Sequence, residues 1–149
     1  MLLDYLKPEL VQFHVRTDDW QSAVRRGGGL LIQQGICTQE YVEACIQASL
    51  EMGPYMVLSP GIALAHSRPE TGALKVGMSI ITLDPPIYFG NKDNDPVRLL
   101  ISFCGIDHDC HIGMLQELAT FLMDDRNQQF MLAATTIEEL TTYLEKTRG

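Results

Sequence analysis

Apolar and polar positions follow two different periods along this chain, and each period predicts one kind of element. A period of two, or a short continuous apolar run, is typical of a strand. Residues 97–104 are almost all apolar, as expected for a strand that is buried on both faces. Pro85 and Pro86 interrupt the alternation and predict two strands rather than one. The predicted strands are residues 11–15, 62–64, 76–83, 87–89 and 97–104.

Apolar residues three and four positions apart predict helices in the remaining segments. Thr17, Asp18 or Asp19 is the expected N-cap of the first helix. Three consecutive glycines at 27–29 weaken this helix by about 1 kcal/mol each relative to alanine, and close packing against a neighbour would be one reason to tolerate them. A second helix is expected from residue 39 to about residue 51, with Val42, Cys45, Ile46 and Ser49 on one face, and the Gly-Pro pair at 53–54 ends it.

The last third of the chain is predicted to be helical. An apolar stripe runs from Ile112 to Leu122, and Thr136 with Glu139 forms a capping box that opens a terminal helix. Helices at both ends of a strand-rich middle predict an α/β fold, with a mixed β-sheet covered by helices. The expected architecture is a single domain over residues 1–149, with helices on both faces of the sheet in three layers, α/β/α.

Composition and charge narrow the classes of function. The chain has 149 residues, which is enough for one domain with a substantial core. Its 11 basic and 19 acidic residues give a net charge of −8, which disfavours nonspecific nucleic-acid binding because that binding needs clustered lysine and arginine. No apolar stretch approaches the roughly 20 residues that span a bilayer, and the N-terminus does not resemble a secretory signal. We therefore expect no nucleic-acid partner and no insertion into a membrane.

The cysteines indicate reduced, mostly buried thiols and a cytoplasmic location, because they lack close C-x-x-C spacing and a secretory context. His108, Cys110 and His111 together suggest a metal cluster. However, His-x-Cys-His is not a usual zinc spacing, and no second ligand pair is evident. We expect neither a metal nor a cofactor. The cysteines are Cys37, Cys45, Cys104 and Cys110.

The segment Gly61–Glu70 carries the strongest candidate for chemistry. Its histidine, His66, follows a short apolar run and stands two positions before Arg68 and three before Pro69. A histidine in such a place is a satisfied core residue, a metal ligand or a nucleophile. A strand end favours a site, and a neutral imidazole is a good nucleophile near neutral pH. Arg68 is placed to hold a phosphoryl group by charge-assisted hydrogen bonds.

His111 is the natural second member of such a site, because it is expected in the first turn of the helix with the Ile112–Leu122 stripe. Helix N-termini favour anions, although a solvated first-turn histidine is the alternative reading. His14 lies in the first predicted strand and is expected to be structural. No G-x-S-x-G elbow, P-loop or G-x-G-x-x-G fingerprint occurs, so a nucleotide-binding enzyme is disfavoured and a phosphoryl group would have to come from another protein.

Several motifs together resemble a known family, and the resemblance covers nearly the whole chain. The chain is similar to the mannitol/fructose-type (type 2) IIA components of the bacterial phosphoenolpyruvate-dependent sugar phosphotransferase system. Within that family it most resembles the ascorbate-specific branch. The matching motifs are Gly-Pro-Tyr at 53–55, the run from Pro60 to Glu70, Asn-Asp-Pro-Val at 94–97, Ile-Asp at 106–107 leading to His111, and the Asp124-Asp125 pair.

This resemblance implies a phosphoryl shuttle on a single domain with a mixed sheet between helices. His66 would match the phosphorylated histidine, which receives its phosphoryl group from the histidine-containing phosphocarrier protein. The group would pass to a cysteine of a IIB component and reach the sugar, ascorbate or a related carbohydrate, through a membrane IIC transporter. His111 would match the second active-site histidine of the family, which assists phosphoryl binding.

Two positions depart from the family pattern. Many mannitol-type members carry an arginine some sixteen positions before the histidine, where this chain has Leu50, and Arg68 is the candidate replacement. Members usually have proline directly before the histidine, where this chain has Ala65. These departures keep open a noncatalytic interaction module on the same fold. A regulatory IIA protein that serves no transporter and a zinc-binding protein are two further alternatives.

Overall fold

Five strands and five α-helices lie in the part of the chain that the structure describes. The computed structural model describes residues 6–106 and 108–148, with the side chains of all of these except 108–112, 114, 147 and 148. The strands are β1 (Val11–Val15), β2 (Val57–Ser59), β3 (Ile62–Ala65), β4 (Gly77–Ile87) and β5 (Val97–Cys104). The helices are α1 (Trp20–Gln33), α2 (Gln39–Met52), α3 (His108–Leu122), α4 (Asp125–Ala133) and α5 (Ile137–Arg148).

The five strands form one mixed sheet in the order β1-β4-β5-β3-β2. β1 is parallel to β4, and β4 is antiparallel to β5. β3 is parallel to β5, with Ala65 opposite Ser102, and β2 forms an antiparallel edge against β3. Because β3 and β5 run in the same direction, the residues that follow them emerge at the same edge of the sheet.

Two buried clusters lie on opposite faces of the sheet, which confirms the three-layer α/β/α architecture. Side chains alternate between the faces along each strand, so Ile81 packs toward α1 and α2 while Ile80 packs toward α3, α4 and α5. Leu100 and Leu99 of β5 divide in the same way. β5 is therefore covered on both faces, as its continuous apolar run predicts.

The glycines of α1 lie where this helix approaches its neighbours. A Cβ on Gly27 would stand 2.7 Å from the Oγ of Ser102, and one on Gly28 would stand 2.5 Å from a methyl of Val42. Ser79 also donates its hydroxyl to the Gly27 carbonyl over 2.7 Å. Close packing against the sheet and α2 thus accounts for two of the three glycines, whereas nothing lies within 4 Å of a Cβ on Gly29.

The helix caps follow the sequence prediction. Asp19 is the N-cap of α1, where its carboxylate accepts the N–H of Ser22 over 2.7 Å. α2 ends at Gly53, whose φ of 88° is a conformation that favours glycine. In the predicted capping box, the Thr136 hydroxyl accepts the N–H of Glu139 over 3.2 Å.

The prediction of two strands at 76–83 and 87–89 is wrong, because β4 is one strand that continues through both prolines. The register to β5 shifts between Thr82 and Ile87, so Pro85 and Pro86 lie in an irregular stretch where no ladder N–H is needed. The sequence reading also omits β2 and α4. β2 has only three residues, and Asp124 caps α4 by accepting the N–H of Arg126.

Among the helices that the structure describes, none is long and apolar enough to cross a membrane.

Candidate phosphoryl-transfer site

His66 lies immediately after β3, where the strand leaves the sheet. The preceding residue, Ala65, is paired with Ser102 of β5 and is 2% exposed, so the backbone entering His66 is fixed by the sheet. The His66 side chain itself is half-buried. A histidine on a rigid strand end, with part of its ring reachable from outside, suits reaction with a group carried by another protein.

One ring nitrogen of His66 faces the main chain. Its Nδ1 lies 3.4 Å from the carbonyl oxygen of Leu64. A carbonyl accepts only, so the proton in this contact lies on Nδ1, which places the lone pair of a neutral imidazole on Nε2. Nε2 is then the nitrogen with nucleophilic character.

Tyr55 supports His66 from the side of β2. The bond from the Leu64 N–H to the Met56 carbonyl sets Tyr55 beside the end of β3. The Tyr55 hydroxyl donates to the His66 carbonyl over 3.0 Å, and its ring stands edge-on to the imidazole with centroids 5.8 Å apart. Partial burial raises the pKa of the Tyr55 phenol, which therefore stays protonated and able to donate.

Tyr41 of α2 bonds the main chain directly after His66, in the segment that we call the His66 loop (residues 66–68). Its hydroxyl accepts the N–H of Ser67 over 3.1 Å and donates to the carbonyl of Phe103 over 2.7 Å. The side chain is 2% exposed, and burial raises the pKa of its phenol above the usual value. Two tyrosines therefore fix the main chain of His66 and Ser67.

The turn after His66 is closed by local bonds. The Thr71 hydroxyl bonds the Arg68 carbonyl at 2.6 Å and the Ser67 Oγ at 3.1 Å, within a short 3₁₀ turn over Pro69–Thr71. The Arg68 side chain is exposed and makes no hydrogen bond or ion pair within the described part of the chain. Its guanidinium is consequently available to an incoming anion.

α3 begins at the sheet edge that carries His66. Three residues separate its first residue, His108, from the end of β5 at Cys104, and β5 is the parallel neighbour of β3. The backbone of His111 lies in the first turn of α3, as predicted. Its side chain, like those of His108 and Cys110 from the metal alternative, lies outside the described side chains, so the role of His111 stays a prediction.

The two departures from the family pattern lie at the end of α2 and at the end of β3. Leu50 lies near the end of α2 and is 59% exposed, so a longer polar side chain would fit there without disturbing the core. Ala65 is the last residue of β3, and alanine keeps a main-chain N–H that proline would lack.

Two of the quoted motifs have structural roles away from His66. The Asp95 carboxylate accepts the N–H groups of Phe89 and Gly90 at the opposite end of β5, where it closes the connection from β4. Asp124 caps α4. His14, expected to be structural, lies on edge strand β1, where its N–H donates to the Thr82 hydroxyl and its Nδ1 lies 3.7 Å from an Asp84 oxygen.

The sequence reading missed the roles of Tyr41 and Tyr55. Tyr55 appeared only as the last letter of a Gly-Pro-Tyr motif, and Tyr41 appeared only as part of a helix. The hydroxyl of a buried tyrosine usually forms a hydrogen bond, and this general rule is the signal that could have indicated their roles. The partners follow from the crossing of α2 over the sheet, which is a tertiary feature.

The site thus presents an oriented imidazole, an exposed guanidinium and a helix N-terminus at one edge of a rigid sheet. Such a set suits reversible transfer of a phosphoryl group, for which positioning and charge stabilisation are the main requirements.

Comparison with known proteins agrees with this geometry. The family model described as "Phosphoenolpyruvate-dependent sugar phosphotransferase system, EIIA 2" matches residues 4–147. The mannitol-specific cryptic phosphotransferase enzyme IIA component of Escherichia coli K12 is 32% identical over 145 residues, covering 97% of this chain and 98% of its own. The ascorbate-specific EIIA component of Shigella flexneri is 33% identical over 141 residues, covering 93% and 91%.

Solved structures agree as well. The solution structure of the mannitol-specific cryptic IIA protein of Escherichia coli superposes with a TM-score of 0.86 at 34% identity, covering 99% of both chains. The IIA protein in a complex of Escherichia coli IIA with phosphorylated IIB for mannitol superposes with a TM-score of 0.82 at 22% identity, covering 95% of this chain and 97% of that one. At 22% identity, the likeness to the second structure shows a shared fold.

A single-domain α/β/α phosphotransferase is the class that fold and comparisons define. The chain belongs to the EIIA 2 family of the phosphoenolpyruvate-dependent sugar phosphotransferase system and is a IIA component of that system.

Proposed function

We propose that His66 receives a phosphoryl group from the histidine-containing phosphocarrier protein and passes it to a cysteine of a IIB component. The observation that carries this proposal is the contact of His66 Nδ1 with the Leu64 carbonyl at 3.4 Å on a rigid strand end. That contact orients the imidazole and leaves the lone pair on Nε2.

The transfer proceeds in two balanced steps. In the first, Nε2 attacks the donor phosphohistidine in line, a new P–N bond forms, and the donor imidazole leaves with the electron pair of the old bond. In the second, a IIB thiolate attacks the same phosphorus, a P–S bond forms, and the His66 imidazole leaves in its turn. No general acid is needed, because both leaving groups are imidazoles.

Arg68 and His111 compensate the charge of the phosphoryl oxygens. The Arg68 guanidinium, exposed two positions after His66, offers paired donors to two oxygens. His111 lies in the first turn of α3, where the N–H groups of the helix start also favour an anion. Arg68 in this role replaces the arginine that many relatives carry at the position of Leu50.

Donor and acceptor bind in turn to the exposed apolar side chains around His66. The complex of a mannitol IIA protein with phosphorylated IIB supports a IIB component as one of the two partners. These side chains lie before Tyr55, after Thr71 and after β5, in the segments whose residues bond the main chain around His66. They are Leu50, Met52, Leu74 and Ile106.

The carbohydrate served by this chain is ascorbate or a related compound, taken up through a membrane IIC partner, and the protein acts in the cytoplasm. The ascorbate-specific relative at 33% identity supports this assignment. The mannitol-specific cryptic relative at 32% identity supports the wider class of sugars and sugar alcohols.

The test is phosphorylation in a reconstituted relay. The protein is incubated with phosphoenolpyruvate, the general phosphotransferase enzyme and the phosphocarrier protein, and acid-labile, base-stable phosphate is measured. We expect labelling of the wild type and of His14→Asn, and none of His66→Ala. His14 has a φ of 53°, which asparagine tolerates, so it is a matched control at a distant strand. Label retained in His66→Ala would assign the reaction to another histidine.

Onward transfer to IIB separates the remaining roles. His111→Gln is expected to accept phosphate and to deliver it to IIB more slowly than the wild type. Equal delivery rates would remove His111 from the mechanism. A wild type that is labelled but delivers nothing to any ascorbate or mannitol IIB would indicate a regulatory IIA protein.

A further inference from the structure

We propose that Tyr41 is a positioning residue for phosphoryl transfer, because its hydroxyl ties the His66 loop to the end of β5, from which α3 and His111 follow. This proposal rests on the proposed function of His66. Neither the sequence motifs nor the comparisons assign a role to Tyr41.

The hydroxyl of Tyr41 occupies a bridging place between two chain segments that are distant in sequence. It accepts from the N–H of Ser67, the residue after His66, at 3.1 Å. It donates to the carbonyl of Phe103, the penultimate residue of β5, at 2.7 Å. The Ser67 carbonyl lies 3.3 Å away. The hydroxyl oxygen of Tyr41 thus bonds both the residue after His66 and the end of β5.

This bridge needs a neutral phenol that both donates and accepts. Burial raises the pKa of the Tyr41 hydroxyl, so the proton needed for the Phe103 carbonyl is kept at neutral and moderately alkaline pH. A phenylalanine would fill the same space but leave the Ser67 N–H and the Phe103 carbonyl without this partner. The expected consequence is a looser His66 loop rather than a lost fold.

The start of α2 is itself held against the turn that follows His66. The Thr38 N–H donates to the Gly72 carbonyl over 3.0 Å, and Thr38 caps α2 through the Tyr41 N–H. A Cβ on Gly72 would stand 2.0 Å from the Thr38 hydroxyl and 3.2 Å from the Tyr41 Cβ. Tyr41 is therefore fixed at its backbone, and its hydroxyl transmits that rigidity to the His66 loop.

The bridge sets the relative position of the two histidine-bearing segments. Ser67 is adjacent to His66, and Phe103 is followed after a short connection by α3 with His111 in its first turn. Phosphoryl transfer depends steeply on alignment, since a misplacement of about 1 Å costs on the order of 100-fold in rate. Loss of the bridge is expected to lower the transfer rate and leave donor binding unchanged.

The test compares Tyr41→Phe with Tyr143→Phe in single-turnover transfer from the phosphorylated carrier. Tyr143 also bonds a partner through its hydroxyl, the Asn127 side chain at 2.5 Å, and its ring stacks on Phe130, which packs on the other face of the sheet. We expect Tyr41→Phe to lower the maximal rate about tenfold or more at an unchanged half-saturating donor concentration. Tyr143→Phe should keep the wild-type rate, with a similar fall in melting temperature.

Nitrogen-15 spectra of the imidazole report on positioning directly. In Tyr41→Phe, the His66 ring resonances should move toward the average of the two tautomers, and the amide signals of His66 and Ser67 should broaden. Tyr143→Phe removes a hydroxyl that bonds Asn127, far from the residues after His66, so this variant should behave like the wild type in both measurements.

Three results would overturn the proposal: a wild-type rate in Tyr41→Phe, an equal loss in Tyr143→Phe, or a slowed Tyr41→Phe with unchanged His66 resonances. If Tyr41→Phe does not fold, 3-fluorotyrosine at position 41 keeps the ring and weakens the acceptor, and a wild-type rate there also overturns it. Failure of the proposed function is separate, since it would leave the wild type itself unlabelled.

Discussion

Tyr55 contacts His66 twice, through a hydrogen bond from its hydroxyl to the His66 carbonyl at 3.0 Å and through an edge-on ring contact at 5.8 Å. The bond fixes the peptide after the histidine, and the ring limits rotation of the imidazole. The Nδ1 contact with Leu64 fixes the same ring from its own strand. His66 is thus oriented by contacts on two sides before any partner binds.

Substitution of Tyr55 separates these two contacts. Tyr55→Phe keeps the ring and loses one hydrogen bond, worth about 0.5–1.5 kcal/mol, so a fall of roughly 2- to 12-fold in the transfer rate is expected. Tyr55→Leu loses the ring contact as well and should be slower than Tyr55→Phe. Single-turnover phosphorylation measures both. Tyr88→Phe, at a side chain that is 71% exposed, is the control and should match the wild type. Equal rates in Tyr55→Leu and the wild type would contradict the orienting role.

The glycines of α1 give a matched pair for stability. Gly28→Ala places a Cβ 2.5 Å from a Val42 methyl, and the overpacking cost of about 1–3 kcal/mol exceeds the gain in helix propensity of about 1 kcal/mol. Gly29→Ala meets nothing within 4 Å and should stabilise the protein by about 0.5–1 kcal/mol. Urea unfolding of both variants measures the difference.

Relief of the clash provides the control for this pair. Val42→Ala in the Gly28→Ala background removes both methyls that the new Cβ would meet, so the double variant should lose less stability than the two single changes summed. Additive losses would show that helix packing at Gly28 is not the cause.

Sequence signals that act within one segment of the chain predict most of the strands and helices. They predict fewer of the residues at the candidate site. β1 is predicted with its observed bounds, and the cap at Asp19 and the stop at Gly53 follow from residues that act within one turn. The passage of β4 through Pro85 and Pro86 was not predictable in this way. It depends on pairing with β5, which is a relation between distant segments.

The candidate site shows the same division. His66 and Arg68 lie in one short segment with a distinctive pattern, which predicts both as site residues, and their roles stay predictions. Tyr41 and Tyr55 act on the same loop from α2 and from the segment before β2, through bonds that span 26 and 11 positions. Such bonds follow from how the helix crosses the sheet, and no periodicity of the chain encodes that crossing.

Alkaline pH should weaken the fold through Cys45. Burial raises the pKa of this thiol from 9.0 to about 12. The unfolded thiol loses its proton above pH 9, whereas the folded thiol keeps it, so this stability is complete below pH 9 and is lost as pH rises toward 12. Between pH 8 and 10.5 the loss is about 2 kcal/mol.

Urea unfolding at pH 8 and pH 10.5 measures this dependence under reducing conditions. Cys45→Ala removes a buried side-chain atom, so the variant should be less stable than the wild type at pH 8. It also removes the titrating thiol, so its stability should fall less than that of the wild type between the two pH values. Buried Tyr41 contributes in the same direction, since burial raises the pKa of its phenol, and a residual slope is expected in the variant. An identical pH dependence in Cys45→Ala and the wild type would assign the effect to other groups.

Arg68 and Leu50 together test which position supplies the cationic side chain. Arg68→Gln removes a hydrogen bond to a charged group, worth about 1.5–3 kcal/mol, and should slow phosphorylation of His66 roughly 10- to 150-fold. Leu50 is 59% exposed near the end of α2, and Tyr55 follows it closely in sequence, so an arginine there fits without loss of stability. Leu50→Arg should therefore restore part of the rate in the Arg68→Gln background. Arg126→Gln, which removes an exposed partner of Asp124 on α4, is the control and should transfer like the wild type. If Arg68→Gln is as fast as the wild type, Arg68 has no part in phosphoryl transfer, and the charge of the phosphoryl group is compensated by α3 and the partner proteins.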